Sequence, residues 1–131
     1  IRVQNSSGSP DELGPLQLAW LGDAVWEMHQ RLKHCNKPGR AKDLHVAVVA
    51  EVKAEAQSNA LLILEPHLST IEKDLVRRAR NKSGRGPRKG DAAVYAKATG
   101  FETMIGWLFL KNPSRLAQLL DRLEESESDL K

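Results

Sequence analysis

Apolar positions recur at alternating intervals of three and four along most of this chain, the repeat of helices that bury one face. Leu18, Leu21, Val25, Met28 and Leu32 form the first stripe. Pro15, directly after Gly14, suits a first helical turn, where no amide donor is needed, and the Asn36-Lys37-Pro38-Gly39 turn closes that helix. Leu44, Ala47, Val48, Val52, Ala56 and Leu62 predict a second helix from about Ala41 to Leu64, stopped by Pro66. Ser69 and Glu72 have the spacing of a capping box and open a third, which runs through Leu75, Val76 and Ala79 toward Arg80. Val94, Ala98, Phe101, Ile105 and Leu108 predict a fourth from about Asp91 to Leu110. Asn112-Pro113 starts a last helix through Leu116, Leu119, Leu120 and Leu123. Sustained strand alternation and internal repeats are both missing, so the expected fold class is all-α, with about five main helices.

The length of 131 residues suits one domain with a substantial core. Residues 1–14, rich in Ser, Gly and Asn, are expected to be a flexible N-terminal segment, residues 15–124 the folded domain, and residues 125–131 a frayed tail. A hydrophobic content of 40% and a charged content of 28% are those of a soluble globular protein. No apolar run reaches the length of a membrane span, and the polar start has no signal-peptide pattern. The expected location is therefore the cytoplasm, or the chloroplast stroma if a transit peptide has been removed. Cys35 is the only cysteine, so no internal disulfide can form, as suits a reducing compartment.

Charge changes this picture through its distribution. The net charge is only +3, yet Arg77, Arg78, Arg80, Lys82, Arg85, Arg88 and Lys89 lie together with no acid among them, and without these seven the chain is net negative. From Asn81 to Gly90 the glycines and the proline favour irregular backbone, so the basic residues straddle the end of one helix and the loop after it. Such a cluster can track phosphates and release their counterions. The first aromatic residue after it is Tyr95, which favours a duplex gripped by backbone and shape over single strands gripped by stacking. A merely solvated basic surface is the plainer alternative.

Two acids stand apart from the ordinary surface charges. Asp23 lies opposite the first apolar stripe, beside Gly22 and three residues from both Trp20 and Trp26. Glu102 shares its helical face with Tyr95, Thr99, Gly106 and Phe109. If the two helices pack together, both carboxylates can converge on a hard, oxygen-preferring cation such as Mg²⁺. Exposed acids or structural ion pairs are the alternatives. Glu27 and Asp91 are further candidate ligands, although Glu27 is also spaced to pair with Arg31, and Asp91 to favour the positive end of its helix. The four histidines and Cys35 have no zinc-site spacing, Gly84-Arg85-Gly86 is not a nucleotide-binding loop, and no nucleophile elbow is present.

With these residues in view, Leu21-Gly22-Asp23-Ala24-Val25 resembles the signature helix of the ribonuclease III catalytic domain, and Phe101-Glu102-Thr103-Met104-Ile105-Gly106 resembles its second acidic motif. The longer runs Leu18 to Glu27, Arg77-Arg78-Ala79-Arg80-Asn81 and Tyr95 to Gly106 are similar in order and spacing to the compact Mini-ribonuclease III branch, which lacks a double-stranded-RNA-binding domain. The resemblance spans roughly Leu16 to Leu123. Full-length members usually carry acids where this chain has Ala19 and Thr99; the compact branch resembles this chain at both points, and the number of metals is left open. The resemblance implies a homodimeric, Mg²⁺-dependent endoribonuclease, with Mn²⁺ as a substitute. Such an enzyme hydrolyses double-stranded RNA to 5′-phosphate and 3′-hydroxyl ends and matures large-subunit ribosomal RNA precursors. Asp23 and Glu102 carry over as metal-binding and catalytic, with Glu27 as a further candidate. Arg77, Arg78, Arg80, Lys82, Arg85, Arg88 and Lys89 would then grip RNA. A non-catalytic RNA-binding scaffold of the same fold is the competing expectation. Trp26, Trp107 and Phe109 lie off the main stripes of their helices and are expected to be covered by a second copy.

Overall fold

In the computed structural model, residues 10–52, 54–84, 86 and 90–129 are described. Every regular element among them is helical: α1 (Pro15–Cys35), α2 (Ala41–Val52), α3 (Ala54–Leu64), α4 (Thr70–Lys82), α5 (Ala92–Lys111) and α6 (Pro113–Asp129), with short 3₁₀ turns at Pro10–Glu12 and Glu65–His67. The all-α expectation holds. The helix predicted from Ala41 to Leu64 is helical on both sides of residue 53, which lies outside the described residues.

The ends of these helices follow from local chemistry. Ser69 and Glu72 form the expected capping box, the Ser69 hydroxyl accepting from the Glu72 amide at 3.2 Å and the Glu72 carboxylate from the Ser69 amide at 2.8 Å. Asp91 caps α5 by accepting from the amides of Ala93 and Val94 at 2.8 and 3.3 Å. Helix α6 continues to Asp129, beyond the predicted end near Leu123. Two contacts hold its last turns to α1: Glu124 with His29 at 3.1 Å and Glu127 with Lys33 at 3.2 Å. At the other end, Pro10–Glu12 is docked rather than loose, because Asp11 accepts from Trp107 Nε1 and Lys111 Nζ, both at 3.1 Å.

Helix α5 is the axis of the domain and packs against α1, α3, α4 and α6. Phe101, Met104, Ile105 and Leu108 are enclosed with Leu61 and Leu64 of α3 and Leu119 and Leu123 of α6. The crossing with α1 is closest. A Cβ on Gly22 would fall inside the Glu102 carbonyl, and one on Gly106 inside the Leu18 carbonyl, so two backbones touch where side chains would hold them apart. Gly100 makes a lesser approach to α4, where a Cβ would lie 3.0 Å from the Val76 carbonyl oxygen. The Thr103 hydroxyl adds a polar tie, 2.8 Å from the Pro15 carbonyl oxygen at the start of α1.

This contact sets the rotation of α1 and corrects the predicted stripe. The buried face comprises Leu18, Ala19, Gly22, Val25, Trp26 and Gln30, whereas Met28 and Leu32 are exposed. At 100° per residue the true face is about a quarter turn from the predicted one. Asp23 therefore sits at the rim of the α1–α5 contact instead of opposite it. Trp26, expected on an interface, is only 2% exposed and meets Phe101 edge-on at 5.0 Å between ring centroids. Trp107 and Phe109 are half-buried against the same core. The large apolar residues left uncovered on α1 are Leu16, Trp20, Met28 and Leu32; with Ala24 they make a ridge at intervals of four, and Trp20 is 83% exposed.

Arg115 of α6 fastens the far side of the bundle. Its guanidinium donates to both oxygens of Glu72, at 2.9 and 3.0 Å, and to the His67 carbonyl at 2.8 Å. Burial opposes the charge on Glu72, but the hydrogen bonds from Arg115 and Ser69 outweigh it and hold the carboxyl below its ordinary value.

The glycine crossing makes a direct demand on stability. Gly106→Ala forces two backbones apart and should cost about 3 kcal/mol, the upper end for overpacking in a core. Urea unfolding followed by circular dichroism measures it; an unchanged midpoint would contradict the close packing.

Candidate active site

The α1–α5 crossing also brings two acids together. Gly22 lies against the backbone of Glu102, so Asp23, the next residue on α1, presents its side chain to the Glu102 carboxyl. Asp23 is thereby the charged, hydrogen-bonding neighbour of the Glu102 carboxyl. Burial pushes the Glu102 group up to about 8, and the hydrogen bond and negative charge of Asp23 act in the same direction. Near neutral pH Glu102 therefore holds its proton.

A third side chain completes the arrangement from α3. Gln57 Nε2 donates to Glu102 Oε2 at 3.4 Å and partly opposes the rise in its pKa. Nothing in the sequence singles out Gln57, whose neighbours Ala56 and Ser58 are unremarkable. It is recognisable only once α3 lies beside α5.

The donor set suits a hard divalent ion. Two carboxylates on separate helices, one half-buried and one open to solvent, match the way Mg²⁺ takes one or two protein carboxylates and retains waters. A dication there would also compensate the charge of an ionised Glu102. Among the described residues no third His, Cys, Asp or Glu joins them to form a metal cluster. Glu27 turns instead to Arg31 at 3.5 Å, and Asp91 is occupied as the α5 cap. Ala19 is buried in the α1 face, and Thr99 is buried with its hydroxyl donating to the Tyr95 carbonyl at 2.9 Å.

The basic residues divide into groups. Arg77 and Arg78 both pair with Asp74, an acid one turn earlier that a search confined to the basic run overlooks. Arg80 and Lys82 are exposed, and neither has an ion pair with a described residue. Arg85, Arg88 and Lys89 lie outside the described residues. Gly86, with φ of +76°, rests against the Tyr95 ring with no room for a side chain, which ties the loop to α5. Lys73, Arg77, Arg80 and Asn81 line a cavity of about 530 Å³ floored by Pro66, Leu68 and Val76. None of Asp23, Glu27 or Glu102 reaches it.

Comparison with known proteins adds an independent line. The model of the ribonuclease III domain family matches residues 16–113. A Mini-ribonuclease 3 of a Synechococcus species is 42% identical over 122 residues, which cover 93% of this chain and 88% of the relative. Another, from Gloeobacter violaceus, is 45% identical over 108 residues, covering 82% and 80% of the two chains. In three dimensions the chain is similar to a crystallographically determined protein of Fusobacterium nucleatum, with a TM-score of 0.79 at 28% identity, covering 88% of this chain and 95% of the other.

The electrostatics of the carboxyl pair can be tested without any substrate. Asp23→Asn removes the neighbouring negative charge, so the Glu102 pKa should fall from about 8 while remaining above that of an exposed glutamate, because burial persists. NMR titration of the side-chain carboxyl would follow it. An unmoved pKa would mean that the two groups are not in contact.

Proposed function

The chain belongs to the ribonuclease III domain family, and from that membership and the Asp23–Glu102 pair we propose that it hydrolyses phosphodiester bonds within double-stranded RNA, using Mg²⁺ held by these two carboxylates. Mn²⁺ should substitute, being of similar charge and ligand preference. The carrying observation is the placement of the two carboxyls side by side at the glycine crossing of α1 and α5.

The chain's own groups have distinct tasks in this reading. Glu102 and Asp23 would hold the cation, Glu102 in its ionised form, and Asp23, exposed at the rim, would lie on the side open to a phosphate. When bound, Mg²⁺ supplies the positive charge that offsets the developing phosphate charge and favours ionisation of an attacking water. Attack by the water oxygen at phosphorus would form the new P–O bond as the bond to the 3′-oxygen breaks, the water proton passing to solvent and the departing 3′-oxygen taking one from solvent, which leaves 5′-phosphate and 3′-hydroxyl ends. Arg80 and Lys82, with Arg85, Arg88 and Lys89, provide sequence-independent grip on the duplex backbone, while Arg77 and Arg78 share their charge with Asp74. A second copy would cover the exposed α1 ridge around Trp20 through an isologous contact, giving one site for each strand. Precursors of large-subunit ribosomal RNA are the proposed substrates, in the cytoplasm or the chloroplast stroma. No helix among the described residues is long and apolar enough to cross a membrane.

A non-catalytic RNA-binding scaffold is the second reading, favoured by the missing third acidic ligand among the described residues. Cleavage of structured duplex RNA separates the two. Asp23→Asn and Glu102→Gln should each lower the rate at least about 100-fold with helical content unchanged. Wild-type activity in Mg²⁺ that both variants retain would refute the site, and binding without turnover would favour the scaffold. Because Glu102 must release its proton to bind a cation, metal affinity should rise with pH and level off above about 8.

The duplex grip has its own signature. Neutralising Arg80, Lys82, Arg85, Arg88 and Lys89 together should flatten the dependence of log affinity on log salt concentration, while the fold persists. An unchanged slope would locate the phosphate contacts elsewhere.

A further inference from the structure

We infer that Gln57 is a positioning residue for this site: its side-chain amide holds the Glu102 carboxylate in the orientation that lets it share a cation with Asp23. The inference rests on the reading of Asp23 and Glu102 as metal ligands. Gln57 lies on the buried face of α3 with Ser58, Ala60, Leu61 and Leu64, and is only 3% exposed. An amide placed there costs stability unless it is hydrogen-bonded, so its geometry is under constraint. Its Nε2 donates to Glu102 Oε2, spanning α3 and α5. At 3.4 Å the contact is longer than the usual N–H···O range, so the donor has room to close on this oxygen. The donor is thus aimed at one of the two Glu102 carboxylate oxygens and restrains the plane of that group. An N–H donor cannot itself ligate the metal, so Gln57 acts only through Glu102.

Partners that orient a metal-binding side chain typically contribute 10- to 100-fold to metal affinity or activity. Gln57→Met keeps the length and volume of the side chain and removes the donor; Gln57→Asn keeps the polar group but withdraws it by one methylene. The experiment measures Mn²⁺ binding to the intact protein by calorimetry and by electron paramagnetic resonance, alongside kcat and KM on duplex RNA. Ser58→Ala serves as a control for the buried α3 face, and thermal melting verifies folding. Both Gln57 variants should bind Mn²⁺ about tenfold more weakly and lose kcat by a similar factor, with KM for RNA unchanged and with Ser58→Ala near wild type. Gln57→Asn retains a buried polar group and keeps the measurement available if Gln57→Met does not fold. Unaltered Mn²⁺ affinity in a folded Gln57 variant, with Asp23→Asn abolishing it, would overturn the role of Gln57 alone. Wild-type protein without a site sensitive to Asp23→Asn would overturn the metal reading and this inference together.

Discussion

The near-contact of two helix backbones at Gly22 and Gly106 is the constraint on which the rest of the domain depends. Helices ordinarily stand 8–10 Å apart because side chains fill the space between them. Here two glycines, one from each helix, remove that spacer. The cost is the backbone entropy of glycine within helices, roughly 1 kcal/mol for each, offset by the dispersion contacts and apolar burial that the close crossing permits. Trp26 packs onto Phe101, and Thr103 reaches the first carbonyl of α1, because the two axes are so close. Once α5 is fixed against α1, its other faces become the surfaces on which α3, α4 and α6 assemble.

The same proximity produces the chemistry. Glu102 supplies the carbonyl against which Gly22 rests, and Asp23 follows Gly22, so the pair of acids is a direct consequence of the crossing. Two carboxyls forced together in a half-buried place cannot both ionise at neutral pH, and the raised pKa of Glu102 expresses that conflict. The Glu72–Arg115 contact provides an internal contrast. There a buried carboxyl has a guanidinium fork for a partner and remains charged, contributing stability that is present above its unfolded pKa and lost as pH falls through the lower folded value. In one protein, a buried carboxyl paired with a guanidinium stays charged and fastens the bundle, while a half-buried carboxyl set beside another carboxyl holds its proton.

Much of this was legible in the sequence. Pro15, Ser69, Glu72, Asp91 and Asn112 marked helix starts correctly, because capping is local chemistry that short spacings reveal. The convergence of Asp23 and Glu102 follows from the sequence only if their two helices pack together, a condition that Gly22 and Gly106 meet. What periodicity missed was the rotation of α1: it weights the largest apolar residues, and the decisive residue on that face has no side chain at all. Periodicity therefore places Trp26 on an interface, whereas it is buried in the core and Trp20 is the tryptophan of α1 left exposed. Gln57 was invisible because its meaning depends wholly on a partner 45 positions away. Asp74 was missed because it lies just outside the basic run that it neutralises in part.

The burial of Ala19 and Thr99 has a consequence for how such a site could change over time. Both occupy packed positions, one in the α1 face and one hydrogen-bonded along α5, so a carboxylate introduced at either begins inside the protein. Each added acid would bring its own desolvation cost before it gained any cation to share. The number of acids around Asp23 is thereby coupled to side-chain volume on two helices. Adding an acid at either position would therefore require the interior around it to be loosened and refilled.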